Sequence, residues 1–420
     1  MSLDEATADL LRRLVPQVLG TLVRRYGDFA TAEDAVQEAL VAAVEAWPRE
    51  GVPEHPSGWL HTVAARRYVD QVRAETARTR RERTAHDALP RDALVAPPPD
   101  AVAPARDDLL ELFLLCCHPA LPAPAQLALT LRAVGGLTTA EVAAAFLVPE
   151  KTMGQRIVRA KQRLRDAGAR FAPPPAAEQG RRLAVVRQVL YLLFNEGYSA
   201  SSGPELRRAD LTRQALRLTR RLHERLPDDG ETAGLLALML LTEARAAARV
   251  DPDGDLVPLA EQDRRRWDRA AIAEGCALVA NSLATSPPGP YQVQAAIAAV
   301  HAEAPRTEET DWPQVLGLYE VLDRLAPNPV ATLNRAVAVG MVHGPEAGLA
   351  LLTEVESGPL ADHHRRHAVR AHLLELAGDR SAATVAWRRA ADLAGNDAER
   401  RHLLRRAARC ESDPGHNGDR

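Results

Sequence analysis

Two clusters of prolines decide how this chain can fold. PRDALVAPPPDAVAPAR at 90–106 and FAPPPAAE at 171–178 set consecutive prolines where no helix continues, because proline lacks a backbone N–H and its ring clashes with the preceding turn. Such runs stiffen a connector toward polyproline geometry, so 86–106 and 171–179 read as linkers. They divide the 420 residues into three folding pieces, 8–85, 107–170 and 180–410.

Each piece carries helical periodicity. In the first, LLRRLVPQVLGTLVRRY, TAEDAVQEALVAAVEAW and SGWLHTVAARRYVDQVRAE repeat apolar residues at three- and four-residue spacing. Thr31 with Asp34 reads as a capping pair, and Ser57 as the cap of the third helix. Aromatic residues make up only 4% of a chain that is 46% hydrophobic, so Leu, Ala and Val must do the packing, as in helix-on-helix cores rather than β-sandwiches. The expected class is all-α: two small helical domains followed by a larger helical one. In the last piece GPEAGLALL begins at 344 and GDRSAATVAW at 378, 34 residues on, and WPQVLGLYEVL at 312–322 keeps the same register. That is the period of a tetratricopeptide-like (TPR-like) stack of helix pairs; the alternative is an Ala-rich bundle.

Several functions are disfavoured. Cys116, Cys117, Cys276 and Cys410 include no C-x-x-C pair and no histidine at finger spacing, so neither zinc nor a disulfide framework is indicated. The cluster DHHRRH at 362–367 reads as a solvated turn before it reads as a metal site. No phosphate-binding glycine loop, catalytic triad or paired-carboxylate pattern is present, so we expect no enzyme and no cofactor. The N-terminus carries acids where a signal peptide needs bases, and no run approaches the roughly 20 apolar residues of a membrane span. The expected location is cytoplasmic, away from membranes.

Local charge points to nucleic acid. A net charge of −3 rules out a protein that coats nucleic acid with its whole surface but allows a basic patch. The only two lysines of the chain, Lys151 and Lys161, fall in VPEKTMGQRIVRAKQRLR at 148–165, among four arginines. Upstream, Thr139 caps a short helix whose Val142, Ala143 and Phe146 face inward. After a tight turn a second helix starts near Glu150 and buries Met153, Ile157 and Leu164. Its other face presents Lys151, Thr152, Gln155, Arg156, Arg159, Lys161 and Arg163. A steeply crossed helix pair with one basic face is how a major groove is read: the bases neutralise phosphates, while Gln155 and Arg156, near the helix start, meet base edges. The competing reading is a solvated arginine-rich helix. Further upstream, 28–54 is acidic and 56–83 is basic. The basic helix adds Trp59 and Tyr68 to its arginines, a combination that stacks unpaired bases, although Trp59 also suits a core.

AEDAVQEALVAAVEAW followed by SGWLHTVAARRYVDQVRAE resembles region two of extracytoplasmic-function (ECF) sigma factors of the sigma-70 class, and 107–168 resembles their region four. The resemblance implies that Asp34, Gln37 and Glu38 lie on the helix that grips core RNA polymerase. It implies that 48–73, with Trp59, Arg66, Arg67 and Arg73, addresses and melts the minus-ten promoter element, and that the 150–165 helix binds the minus-thirty-five element. Arg67 stands where many relatives carry Asn. YLLFNEGYSASSG at 191–203, EQDRRRWDRAAIAEG at 261–275 and GPYQVQAAIAAVHAE at 289–303 resemble the subgroup with a tetratricopeptide-like C-terminal extension. Membership implies that no dedicated anti-sigma factor is needed and that the extension governs activity. Tyr191, Phe194, Asn195, Glu196 and Tyr198 then form a regulatory edge; otherwise they form a helix end with Gly197 as its left-handed residue. The alternative function is a helix-turn-helix activator with a TPR-like protein-binding domain. An activator has no use for the acidic helix beside the Trp/Arg helix.

Overall fold

The computed structural model describes residues 5–82, 108–146, 148–172, 174–199, 206–252, 254–355 and 360–412. The first proline-rich segment therefore lies outside the described residues. Within them the regular structure is helical, with a lone antiparallel bridge between Val250 and Leu256, as the all-α expectation required. The chain divides into two compact units, Met1–Leu190 and Tyr191–Arg420.

In the first unit α1 (Glu5–Tyr26), α2 (Phe29–Glu50) and α3 (Pro56–Glu82) pack around Leu19, Leu22, Ala35, Val36, Ala39, Leu60 and Ala64, all buried. The cap of α2 is Asp28, not the Thr31–Asp34 pair: its carboxylate accepts from Ala30 N at 2.9 Å and Thr31 N at 3.5 Å. An acid directly before the first turn reaches the orphan amides there, whereas Asp34 lies beyond them. Ser57 follows Pro56 inside the first turn of α3 and so is not its cap.

The unit continues with α4 (Leu109–Cys116), α5 (Ala123–Leu129), a π turn over Thr130–Val134, α6 (Thr139–Ala145) and α7 (Glu150–Asp166). Thr138, one residue earlier than expected, caps α6. Its hydroxyl accepts from Glu141 N at 3.2 Å, and the Glu141 carboxylate accepts from Thr138 N at 2.7 Å, a reciprocal capping box. Next, α8 (Ala176–Tyr198) begins inside the stretch read as a linker. Pro175 lies just before the helix and its carbonyl accepts from Glu178 N at 2.8 Å; proline has no amide to lose at such a start.

The second unit holds α9 (Ala209–Arg225), α10 (Gly230–Glu243), α11 (Arg269–Thr285), α12 (Pro290–Glu303), α13 (Trp312–Leu325), α14 (Pro329–His343), α15 (Pro345–Leu352), α16 (His364–Leu376), α17 (Arg380–Leu393) and α18 (Asp397–Ser412). From α9 on, neighbours in sequence pack on one another, and α10 also packs on α12. The 34-residue recurrence has a backbone cause. Gly344 and Gly378 take φ of 97° and 81°, the left-handed turn that precedes α15 and α17 respectively. Close helix approach uses other glycines: a Cβ at Gly234 would stand 2.6 Å from Gln292 N, and one at Gly275 would stand 2.7 Å from Leu241 Cγ. The last helix returns to the segment after α10, where Asp255 accepts from Arg401 at 2.7 Å and also pairs with Arg405.

Gly197 is not a left-handed helix end. It lies within α8, and a Cβ there would stand 2.5 Å from Thr212 N, so glycine lets α8 meet the start of α9. The aromatic residues beside it are used in the packing of the unit itself. Phe194 is buried and stacks on Tyr198 at 5.9 Å. Tyr198 is covered by the Arg249 guanidinium 3.8 Å from its ring centroid, and Tyr191 meets Tyr291 edge-on at 5.5 Å. Asn195 and Glu196 are half-buried. As an edge that presents its rings to a partner, the Tyr191–Tyr198 stretch is thereby corrected: Phe194 has no surface to offer.

Candidate nucleic-acid and polymerase interface

Helix α7 separates its two jobs by face. Met153, Ile157, Ala160 and Leu164 are buried at spacings of three and four and fix the helix against α5 and α6. Val142 and Ala143 supply the opposing surface, and Val148 N donates to Ala143 O at 3.1 Å across the turn. Lys151, Thr152, Gln155, Arg159 and Arg163 are exposed, and Arg156 is half-exposed. The exposed side is thus basic where the sequence placed it, with Gln155 and Arg156 in the first two turns.

Lys161 does not belong to that face. It is only 6% exposed, and its Nζ lies 2.6 Å from Asp34 Oδ1, in ion-pair contact with Glu33, and 3.5 Å from Ala30 O. Position 161 is one turn beyond Ile157, at the margin of the apolar stripe, so its long stem follows the buried side and its charge ends on α2. Lys161 as an exposed DNA contact is therefore corrected, while Asp34 stays on the exposed side of α2 with one carboxylate oxygen paired to Lys161.

Glu33 and Arg132 escaped the sequence reading. Glu33 is 0% exposed, and Arg132, buried in the π turn, places its Nε 2.5 Å from Glu33 Oε1 while another of its nitrogens donates to Thr139. A signal was present: Glu33 falls within the run Ala32, Val36, Ala39, Leu40 and Ala43 of buried α2 positions, and an acid on an apolar stripe needs a partner.

Elsewhere on α2, Gln37 is buried, while Glu38 accepts from Gln71 Nε2 at 2.7 Å and pairs with Arg67 Nε at 3.6 Å. Beside Glu38 and Glu45, Val41 is 55% and Val44 42% exposed, an acid-rimmed apolar patch that the sequence reading did not single out. A cavity of about 550 Å³ opens between this helix and region four, lined among others by Asp34, Glu38, Val41, Arg67, Arg132 and Glu150.

On α3, Arg66, Arg67 and Arg73 are exposed, although Arg67 is tied to Glu38. Trp59 is half-buried and meets the buried Trp47 edge-on at 5.6 Å, which makes it part core and part surface. Tyr68 is a core residue: it is buried, stacks on Tyr26 at 4.2 Å, and has its hydroxyl pushed up to about 12 by burial, with Asp28 and Tyr26 adding to the effect. The side chains of Arg78, Arg80, Arg81 and Arg83 lie outside those described.

Among the described residues no group of His, Cys, Asp and Glu could hold a metal ion. DHHRRH is not the turn the sequence suggested: His364–His367 form the start of α16, capped by His363, which accepts from Arg365 N at 3.2 Å and stacks on His364 at 4.4 Å, and Asp362 lies 3.7 Å from Arg389. Burial raises the thiols of Cys116 and Cys117, the second to about 12, which keeps both from serving as thiolates. None of the helices is long and apolar enough to cross a membrane among the described residues.

Residues 10–78 match the sigma-70 region 2 family, and residues 114–164 match sigma-70 region 4. Residues 182–283 match a family of unknown function, DUF6596. The chain belongs to the sigma-70 family, as an ECF-like member with a C-terminal helical extension. It is similar over nearly its whole length to an uncharacterized protein of Rhizobium meliloti, 44% identical over 401 residues, 95% of this chain and 94% of that protein. It is also similar to the ECF RNA polymerase sigma factor SigE of Mycolicibacterium smegmatis, 29% identical over 170 residues, 40% of this chain and 63% of that protein. The two sigma-70 regions imply binding of core RNA polymerase and promoter DNA.

Proposed function

We propose that this protein is an ECF-type sigma factor that brings core polymerase to promoters with minus-ten and minus-thirty-five elements, and that its C-terminal extension sets its activity without a dedicated anti-sigma factor. The observation that carries the reading is the pairing of two unlike surfaces in one unit. Helix α7 turns a basic face outward opposite its core, which suits phosphates and base edges. Helix α2 turns out Glu38, Val41, Val44 and Glu45, which suits a protein partner and repels DNA. The recurrence of the left-handed glycine turn at 344 and 378 supports a TPR-like stack, a scaffold whose common use is binding another chain. The half-buried Tyr191, Asn195 and Glu196 remain candidates for a regulatory contact.

Run-off transcription with purified core polymerase tests this reading. The full chain is expected to start transcripts at a promoter that core alone ignores, and a chain ending at about residue 190, where the first unit ends, is expected to give a different yield at equal concentration. Tight DNA binding by the protein alone, with no association with core polymerase, would favour the activator instead. Identical yields from the two chains would remove the regulatory role of the extension.

On α7, Arg156→Ala is expected to cost about 1–3 kcal/mol and relax sequence preference, whereas Arg163→Ala weakens all sequences alike and flattens the salt dependence by about one phosphate. Equal, sequence-blind losses in a binding assay across salt concentrations would refute base reading by Arg156.

A further inference from the structure

We propose that the free protein holds itself closed through a buried ion-pair latch, Glu33 of region two locked by Arg132 and Lys161 of region four, which must open before polymerase and promoter are engaged together. The inference rests on the sigma-factor reading for its consequence, though not for its geometry.

A carboxylate with no solvent exposure persists only if it is paired. Glu33 has that burial, and both of its cations come from region four: Arg132 from the π turn at 2.5 Å, and Lys161 from α7. Its compensation therefore exists only while the two regions are docked. Lys161 also holds Asp34 at 2.6 Å, so a residue on the helix expected to grip polymerase has its charge committed to the helix expected to grip DNA. Other contacts tie the same two regions. Arg12 pairs with Glu141 at 3.0 Å, and Arg24 pairs with Asp108. The backbone at Gly136 runs so close to α1 that a Cβ there would stand 2.9 Å from Arg12 Cα.

Such a form cannot serve a promoter. The two elements lie about 25 base pairs apart, or roughly 85 Å of B-DNA at about 3.4 Å per pair, whereas α2 and α7 touch. Opening is thermodynamically reachable because a buried ion pair is held near balance between attraction and lost hydration. On separation Glu33, Arg132 and Lys161 regain water. Polymerase then takes the α2 face, and promoter phosphate replaces carboxylate at Lys161, one anion exchanged for another.

The test uses the full chain with spin labels at Glu50→Cys and Asp166→Cys, both exposed positions, and with Cys276 and Cys410 replaced by Ser. Pulsed electron paramagnetic resonance is expected to give one narrow distance in the parent chain. Arg132→Gln and Glu33→Gln, which break the latch from opposite sides, should each give a broad, longer distribution. Each should also tighten binding to core polymerase at least tenfold, because apparent Kd scales inversely with the competent fraction. Narrow distances in both variants would overturn the latch. Broadened distances with unchanged polymerase affinity would overturn its gating role. Broadened distances with no polymerase binding by any form would leave the latch standing and sink the sigma-factor reading instead. Should Arg132→Gln lose its fold through the lost Thr139 contact, Glu33→Gln, a neutral near-isostere on the other region, decides alone.

Discussion

Met153→Asp is expected to unfold region four and abolish transcription that depends on the minus-thirty-five element, while α1 to α3 keep their helices. Met153 is fully buried on the inner face of α7, in line with the buried Ile157 and Ala160. An unpartnered carboxylate there meets a desolvation cost of several kcal/mol, as large as the roughly 3–5 kcal/mol that so small a core supplies. Met153→Leu keeps the volume and should cost less than about 1.5 kcal/mol. Far-UV circular dichroism and run-off assays on promoters with and without the upstream element report the outcome. If Met153→Asp retains upstream recognition, the buried side of α7 has been assigned wrongly and the basic side with it.

Gly234→Val should destabilise the C-terminal unit by about 3 kcal/mol or more, an overpacking penalty at the upper end of its usual range. At this site a Cβ would lie 2.6 Å from Gln292 N and 2.7 Å from its Cα, and two helix backbones cannot yield as a flexible side chain does. Gly317 is the control: it also lies within a helix, but its Cβ would meet nothing within 4 Å. There Gly317→Ala should raise stability by about 0.5–1 kcal/mol through helix propensity. Opposite signs in urea denaturation are the expected result. Stabilisation at both positions would mean that α10 and α12 do not approach as described.

What is local was legible in the order of residues alone. Helical class, the helix-turn-helix with its one-sided charge and the 34-residue recurrence all follow from periods of three and four residues and from turns that only glycine takes easily. Met153, Ile157 and Leu164 therefore proved buried, and Lys151, Gln155 and Arg163 exposed. Local pattern does not say which of two polar neighbours caps a helix: it points to Thr139, and Thr138 acts. Nor does it separate two uses of glycine: of the two readings of the Tyr191–Tyr198 stretch one makes Gly197 a left-handed helix end, whereas Gly197 serves close packing.

The role of Lys161 comes from long-range packing. On a helical wheel it is one more base among Arg159 and Arg163, at the margin of the apolar stripe, and periodicity there permits either environment. Its actual partners stand far off in sequence: Asp34 is 127 residues away, and the companion pair Arg132 and Glu33 is separated by 99. Nothing within one turn of any of these residues encodes that meeting. A charge at a stripe margin takes whatever sign of partner the docked surface presents, and which surface docks is settled by the packing of whole helices, not by the order of residues along one of them.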